Sequence, residues 1–236
     1  MTDKIIRIDM AGTNCYLVKL NEGFILFDTG GPMLTDRKFN DRQEELVEAL
    51  EKEGCFPDNL NLIVLTHGDI DHVYNAAYVR DRYNTKIALH YGDVPLVENP
   101  SISSVLRSFK FRSLTSNFIA KLMKPYIHNR SLKALTGFCK FTPDIIIDDS
   151  FKLSDFGLEA DVLHIPGHTD GSICIVFQDG SLICGDTFFN MFKPRIALNA
   201  CDYEMLEKSI QQLKNYNITT VYSGHGKPFE LKRISI

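Results

Sequence analysis

The chain has 236 residues, 44% of them hydrophobic, with 26 basic and 30 acidic side chains and a formal net charge of −4. Those values suit one large core, or one core carrying an insertion, and exclude a disordered or low-complexity chain. No run approaches the ~20 apolar residues a membrane-spanning helix needs, and the first seven residues lack the apolar centre of a signal peptide, so the expected location is cytoplasmic.

In chain order, the apolar and β-branched runs predict strands near 4–9, 15–20 and 24–28, the last opening into Asp28-Thr29-Gly30. A helix is expected near 40–53. A buried-type strand near 61–66 then delivers Thr66-His67-Gly68-Asp69-Ile70-Asp71-His72, four candidate metal ligands within six residues, where a helix near 72–83 begins. A strand near 86–90 and a helix near 91–98 follow. After a long segment, strands are expected near 144–147 and 159–164, the second broken by Pro166-Gly167 with His168 directly after. Strands near 172–177 and 181–185 come next, the latter ending in Gly185-Asp186. A helix near 203–215 leads to a strand near 219–223, which ends in Gly224-His225-Gly226.

Histidines and carboxylates at four separate strand ends are the residue types that hold a divalent ion in nitrogen and oxygen ligation. His90, His128 and His164 lie outside these corners and are read as ordinary polar side chains. Neither glycine cluster has phosphate-loop spacing. Cys15, Cys55, Cys139, Cys174, Cys184 and Cys201 are scattered without a Cys-x-x-Cys pair, and Cys174 and Cys184 read as core packing.

The order His67, Asp69, Asp71, His72, then His168, Asp186 and His225, together with the early Phe27-Asp28-Thr29-Gly30, resembles the metallo-β-lactamase superfamily over most of the chain. The resemblance implies an α/β fold, a four-layer αββα sandwich spanning 1–236 as a single domain, with the site at one edge. It also implies that His67, Asp69 and His168 hold one metal, Asp71, His72 and His225 the other, and that Asp186 bridges them. Asp28 is a candidate acceptor behind a ligand imidazole. Asp69 stands where most relatives have a second histidine. With neutral imidazoles, the extra carboxylate lowers the net charge of a two-ion site from about +2 to about +1 and makes iron or manganese more competitive with zinc, the default ion.

The segment 99–143 is expected to be a helical insertion of two or three short helices, with a break near Lys124-Pro125. It carries Arg107, Lys110, Arg112, Lys121, Lys124, Arg130, Lys133 and Lys140 and no acidic residue, so it is +8 while the rest of the chain, 18 basic against 30 acidic, is −12. Val105, Leu106, Phe109, Leu114, Phe118, Ile119, Leu122 and Met123 recur between the charges at helix-like spacing. The leading reading is a lid or wall over the site that offers cations to an anionic small-molecule substrate; a homodimer or intramolecular surface that meets the acidic remainder, and peripheral contact with anionic membrane lipid, are the others. No nucleic-acid partner is expected.

The leading function is a metal-dependent hydrolase acting on a small ester, thioester or lactone through a dinuclear metal-bound hydroxide, with Asp71 both ligating and orienting the water. Pro166-Gly167-His168-Thr169-Asp170-Gly171 and Cys184-Gly185-Asp186-Thr187 resemble glyoxalase II-type and lactonase-type relatives. An iron-dependent redox enzyme, motivated by Asp69, and a non-catalytic metal-binding module docking through the basic insertion are the alternatives.

Overall fold

Side chains that alternate along each central strand face two different cores, which stacks the molecule in four layers. The structure, a computed structural model, describes residues 4–33, 36, 38–108, 110, 111, 113–234 and 236; at 114 and 116 it describes the backbone alone. Phe109, Arg112 and the Leu114 side chain, noted above in the basic segment, therefore lie outside the described residues.

The first half of the chain gives β1 (Lys4–Met10), β2 (Thr13–Lys19), β3 (Phe24–Phe27), α1 (Gln43–Lys52), β4 (Leu60–Val64), α2 (Ile70–Val73), α3 (Ala76–Tyr83), β5 (Ile87–His90) and α4 (Val94–Glu98). The segment 99–143 forms α5 (Ile102–Val105), α6 (Leu114–Leu122) and α7 (Lys124–Gly137), with the break at Met123 where proline enters the first turn of α7. Then come β6 (Ile145–Ile147), β7 (Ala160–His164), β8 (Ile173–Phe177), β9 (Ser181–Ile183), β10 (Phe188–Asn190), β11 (Arg195–Ile196), α8 (Tyr203–Ile210), β12 (Thr220–Tyr222), β13 (His225–Gly226) and β14 (Phe229–Glu230).

One sheet has the order β11-β10-β13-β2-β3-β4-β5-β6, with β1 paired to β2; the other has the order β14-β12-β9-β8-β7. Strands β3 to β6 run parallel, as do β9 and β12, so their carboxyl ends collect at common edges. Tyr16, Val18, Ile25, Phe27, Ile173 and Ile175 fill the space between the sheets. Their neighbours Cys15, Leu17, Phe24 and Leu26 turn the other way, onto α1 and α3 through Leu46, Leu50, Ala76 and Val79. On the far side, Cys174, Leu182 and Cys184 pack against Leu206 and Ile210 of α8. The fold is thus α/β, an αββα sandwich, and truncating a residue such as Leu62 at its centre costs about 2–5 kcal/mol.

Some boundaries differ from the sequence pattern for identifiable reasons. The first helix starts at Gln43, because Phe39 and Arg42 adopt left-handed backbone. The helix expected over 72–83 is split at Asn75, whose amide donates to the carbonyls of Thr29 at 3.0 Å and Asp41 at 2.8 Å. The strand expected over 181–185 ends at Ile183, since a tight turn at Gly185–Thr187 swings Asp186 inward.

Candidate metal centre

The carboxyl ends of five strands supply the pieces of the centre. Asp28 follows β3, His67 to His72 follow β4, His168 follows β7, Asp186 follows β9, and His225 follows β12 as the first residue of β13. Two glycines permit the convergence. A side chain at Gly185 (φ +47) would meet Thr66, and one at Gly224 would meet the Asp186 carboxylate and the His72 ring.

His67, Asp69 and His168 each offer a ligand atom within 4.8 Å of the others, and so do Asp71, His72 and His225. Asp186 lies between the two groups: its Oδ1 is 3.3 Å from His72 Nε2, and its Oδ2 is 3.2 Å from His225 Nε2 and 3.6 Å from His168 Nε2. Asp69 Oδ2 is 3.2 Å from His168 Nε2 and accepts a 3.1 Å hydrogen bond from Ser108 of the insertion. Asp71 Oδ2 accepts from Thr13 Oγ1 at 3.1 Å and stands 3.6 Å from His225 Nε2. All seven residues named from the sequence meet at one edge.

The outer nitrogens of the four imidazoles are all engaged. His72 Nδ1 lies 2.9 Å from Asp28 Oδ2, His168 Nδ1 3.0 Å from the Asn199 carbonyl, and His225 Nδ1 2.7 Å from the Gly12 carbonyl. His67 Nδ1 lies 3.0 Å from Thr66 Oγ1, which itself donates to Asp28 Oδ2 at 2.8 Å. A neutral imidazole whose Nδ1–H donates outward in this way turns its Nε2 lone pair to the centre, as it must to hold a metal. His67 Nε2, His72 Nε2 and Asp186 Oδ1 are buried and make no hydrogen bond among the described residues. Orphaned acceptors grouped this way are costly unless a cation satisfies them, so the donor set fits a divalent ion.

The electrostatics agree. Burial opposes ionisation of Asp69 and Asp186, but His168 beside Asp69, and His225 and His72 beside Asp186, hold both carboxyls below their ordinary range. Burial likewise opposes charging the imidazoles, yet Asp69 carries His168 up to about 9, and Asp186 raises His72 and His225. His67, buried next to His72, is pushed well down. Protons thus occupy the places that a cation takes by displacing them.

Several supporting residues carry no local sequence signal. Buried Asp93 accepts from the amides of Gly68 and Gly171, both at 2.8 Å, and from Thr169 Oγ1 at 2.6 Å, fastening the His67 loop to the His168 loop. Ser108, Thr13 and Asn199 act through contacts 31 to 58 residues distant in sequence. His90 and His164 stack on each other at 3.9 Å and are in none of the three His and carboxylate groups, and His128 is exposed on α7.

The centre opens into a cavity of about 240 Å³ bounded by Asp69, Asp71, Asp186 and His225 on one side and by Met33, Val105, Phe111, Phe189, Met191 and Leu198 on others. Val105, Phe111, Ser131 and Ala134 come from the insertion, which therefore forms part of the wall. No lysine or arginine is among the described lining residues. Three of the insertion's cations are directed elsewhere: Arg107 pairs with Asp170 at 2.6 Å, and Arg130 and Lys133 lie over the Phe39 ring.

Comparison with known proteins yields a consistent set. The sequence profile of the Metallo-beta-lactamase superfamily matches residues 9–225. A probable metallo-hydrolase of Methanocaldococcus jannaschii is 30% identical over 219 residues, 91% of this chain and 88% of that protein. The hydroxyacylglutathione hydrolase GloC of Haemophilus influenzae is 26% identical over 96% of this chain and 91% of its own length. The crystal structure of the B3 metallo-beta-lactamase BLEG-1 superposes with a TM-score of 0.68 at 22% identity, covering 98% of this chain and 95% of that one.

Proposed function

Because the chain belongs to the metallo-beta-lactamase superfamily and is one of its metallo-hydrolases, we propose that it cleaves a small ester, thioester or lactone with an apolar acyl part, using two divalent ions. The observation that carries this reading is the convergence of four Nε2 atoms and three carboxylates on one cavity edge whose other walls are apolar.

His67, Asp69 and His168 would hold one ion, Asp71, His72 and His225 the other, with Asp186 between them. Two such ions, when bound, supply an acidified water and Lewis acidity at the acyl carbonyl. The remaining work belongs to the chain. Thr13 steadies Asp71 Oδ2, which faces the cavity and orients the proton of the attacking water. Met33, Val105 and Phe111 remove the acyl part from water and fix the carbonyl over the carboxylates. With no lysine or arginine among the described lining residues, the cavity favours a neutral acyl group over the anionic one that lysines would meet. A thioester fits the likeness to hydroxyacylglutathione hydrolase.

A second reading rests on Asp69. Its carboxylate, 3.2 Å from His168 Nε2, gives the first site an extra hard oxygen donor, which favours iron over zinc and with it an iron-dependent redox reaction. Elemental analysis of protein purified without added metal, followed by ester, thioester and lactone panels, separates the two. About two zinc ions per chain and a hydrolysis lost in His72→Ala support the hydrolase. Iron, together with oxygen consumption and no hydrolysis, overturns it.

A further inference from the structure

Helix α6 leaves a row of apolar side chains uncovered. Phe118 is 63% exposed, Ile119 55% and Leu122 68%, and Met123, at the break that follows, is 45% exposed. Spacings of one and four place Phe118, Ile119 and Leu122 on one face of α6. Such a row of large apolar side chains is unusual on a soluble surface and marks an interaction site. Lys121 flanks the row on α6 and Lys124 follows it at the start of α7; both are exposed and form no ion pair among the described residues. No carboxylate occurs anywhere between residues 99 and 143.

We infer that this face docks on the surface of a bilayer containing anionic lipid, with Phe118, Ile119 and Leu122 entering the acyl boundary and the lysines meeting the headgroups. Three observations select that occupant. The segment is +8 on a chain that is otherwise −12, so only one side of the molecule is attracted to a negative surface. A symmetric dimer through the same face would bring two +8 segments together, because a twofold interface matches a patch to itself. A head-to-tail contact would need an apolar counterpart of matching extent on the acidic remainder, where the exposed large apolar residues among those described are the scattered Phe56, Tyr91, Ile146 and Met205 and one adjacent pair, Met191-Phe192.

The docked face adjoins the cavity. Asn117 of α6 accepts from the Phe111 amide at 3.0 Å and donates to the Phe111 carbonyl, and Phe111 lines the cavity and pairs with Asn199. Docking therefore sets the cavity beside the lipid phase, where an apolar acyl compound concentrates. The docking itself is independent of the reaction proposed above and is tested without it.

The test is sedimentation of the full chain with vesicles of phosphatidylcholine alone and of phosphatidylcholine mixed with phosphatidylglycerol. Binding is expected only to the mixed vesicles and is expected to weaken as salt rises. Lys121→Glu with Lys124→Glu should lower partitioning by at least about thirtyfold. Phe118→Ser with Leu122→Ser should abolish it while circular dichroism stays unchanged, since these side chains are exposed. Absence of binding to the mixed vesicles overturns the inference, as does binding that both double variants retain. A dimer in sedimentation velocity that Phe118→Ser with Leu122→Ser dissolves also overturns it, and assigns the face to a second copy.

Discussion

Asp28 Oδ2 lies 2.9 Å from His72 Nδ1, and Asp28 holds that position in left-handed backbone (φ 58) directly after β3. The same carboxylate accepts from the Thr66 amide and hydroxyl, both at 2.8 Å, so one side chain orients the imidazole and closes the turn that precedes His67. Asparagine tolerates the same backbone but presents an N–H where His72 needs an acceptor. Asp28→Asn should therefore leave the fold intact and weaken metal binding by about 10–100-fold. Competition against a chelator of known affinity measures it, and unchanged affinity would remove Asp28 from the centre.

Asp69 is the position at which this chain departs from the usual pattern of its superfamily. Replacing it with histidine substitutes a neutral nitrogen donor for a hard anionic oxygen, so Asp69→His should raise the zinc-to-iron ratio of protein expressed in ordinary medium. Ser108→Ala removes only the 3.1 Å hydrogen bond to Asp69 and should cost about 1 kcal/mol or less of stability without changing the metal. Identical metal content in wild type and Asp69→His would show that Asp69 does not select the ion.

Asp93 joins the His67 and His168 loops through three donors and is itself buried. Asp93→Ala leaves the amides of Gly68 and Gly171 and the Thr169 hydroxyl short of an acceptor, at about 1–3 kcal/mol for each group left unsatisfied. A melting temperature lowered by several degrees, together with loss of bound metal, is expected in differential scanning calorimetry. A variant that melts normally yet loses metal would separate positioning from stability.

Nothing in the local sequence around Asp93 announces this role, and the contrast with the ligands is instructive. His67, His168, Asp186 and His225 each follow an apolar run and His72 opens the helix after one, so both the run and the ligand are visible in a window of about ten residues. Asp93, Ser108 and Thr13 matter through partners that only the tertiary fold brings near. The same limit hides β10, β11, β13 and β14, because a strand of two or three residues has no periodicity to read. The insertion shows a further limit. Its charge, its helices and the break near Pro125 follow from composition and spacing, but the direction of each cation depends on partners such as Asp170 and Phe39.

His90, buried and stacked on His164 beside Tyr91, has its imidazole pushed down to about 4 by burial and by the neighbouring His164 ring, against a smaller opposing pull from Asp149 and Asp148. Between about pH 4 and its ordinary value of 6.5, the unfolded chain takes a proton that the folded chain refuses. Stability therefore falls as the pH drops through that window and is unaffected by this group above it. His90→Gln should remove a few tenths to about 1 kcal/mol of that acid sensitivity, read from urea midpoints at pH 7 and pH 5. An unaltered pH slope would show that other groups carry it.

Ala134 sits on α7, buried at the wall of the cavity that holds Asp71 and Asp186 at its other side. It belongs to none of the His and carboxylate groups at the centre, so enlarging it alters the space offered to the substrate and leaves the metal set alone. Leucine at this position projects three more carbon atoms into a cavity of about 240 Å³, and a long acyl group and the new side chain cannot share that volume. A short acyl group has no such conflict. Each methylene excluded from an apolar wall is worth about 1–3 kcal/mol of discrimination. Ala134→Leu should thus lower kcat/KM for the longer members of an ester or thioester series by about tenfold or more, while an acetyl compound and the bound metal are unchanged. If all chain lengths fall equally with metal retained, the cavity is not the acyl site, and the apolar wall belongs to the packing of α7 instead.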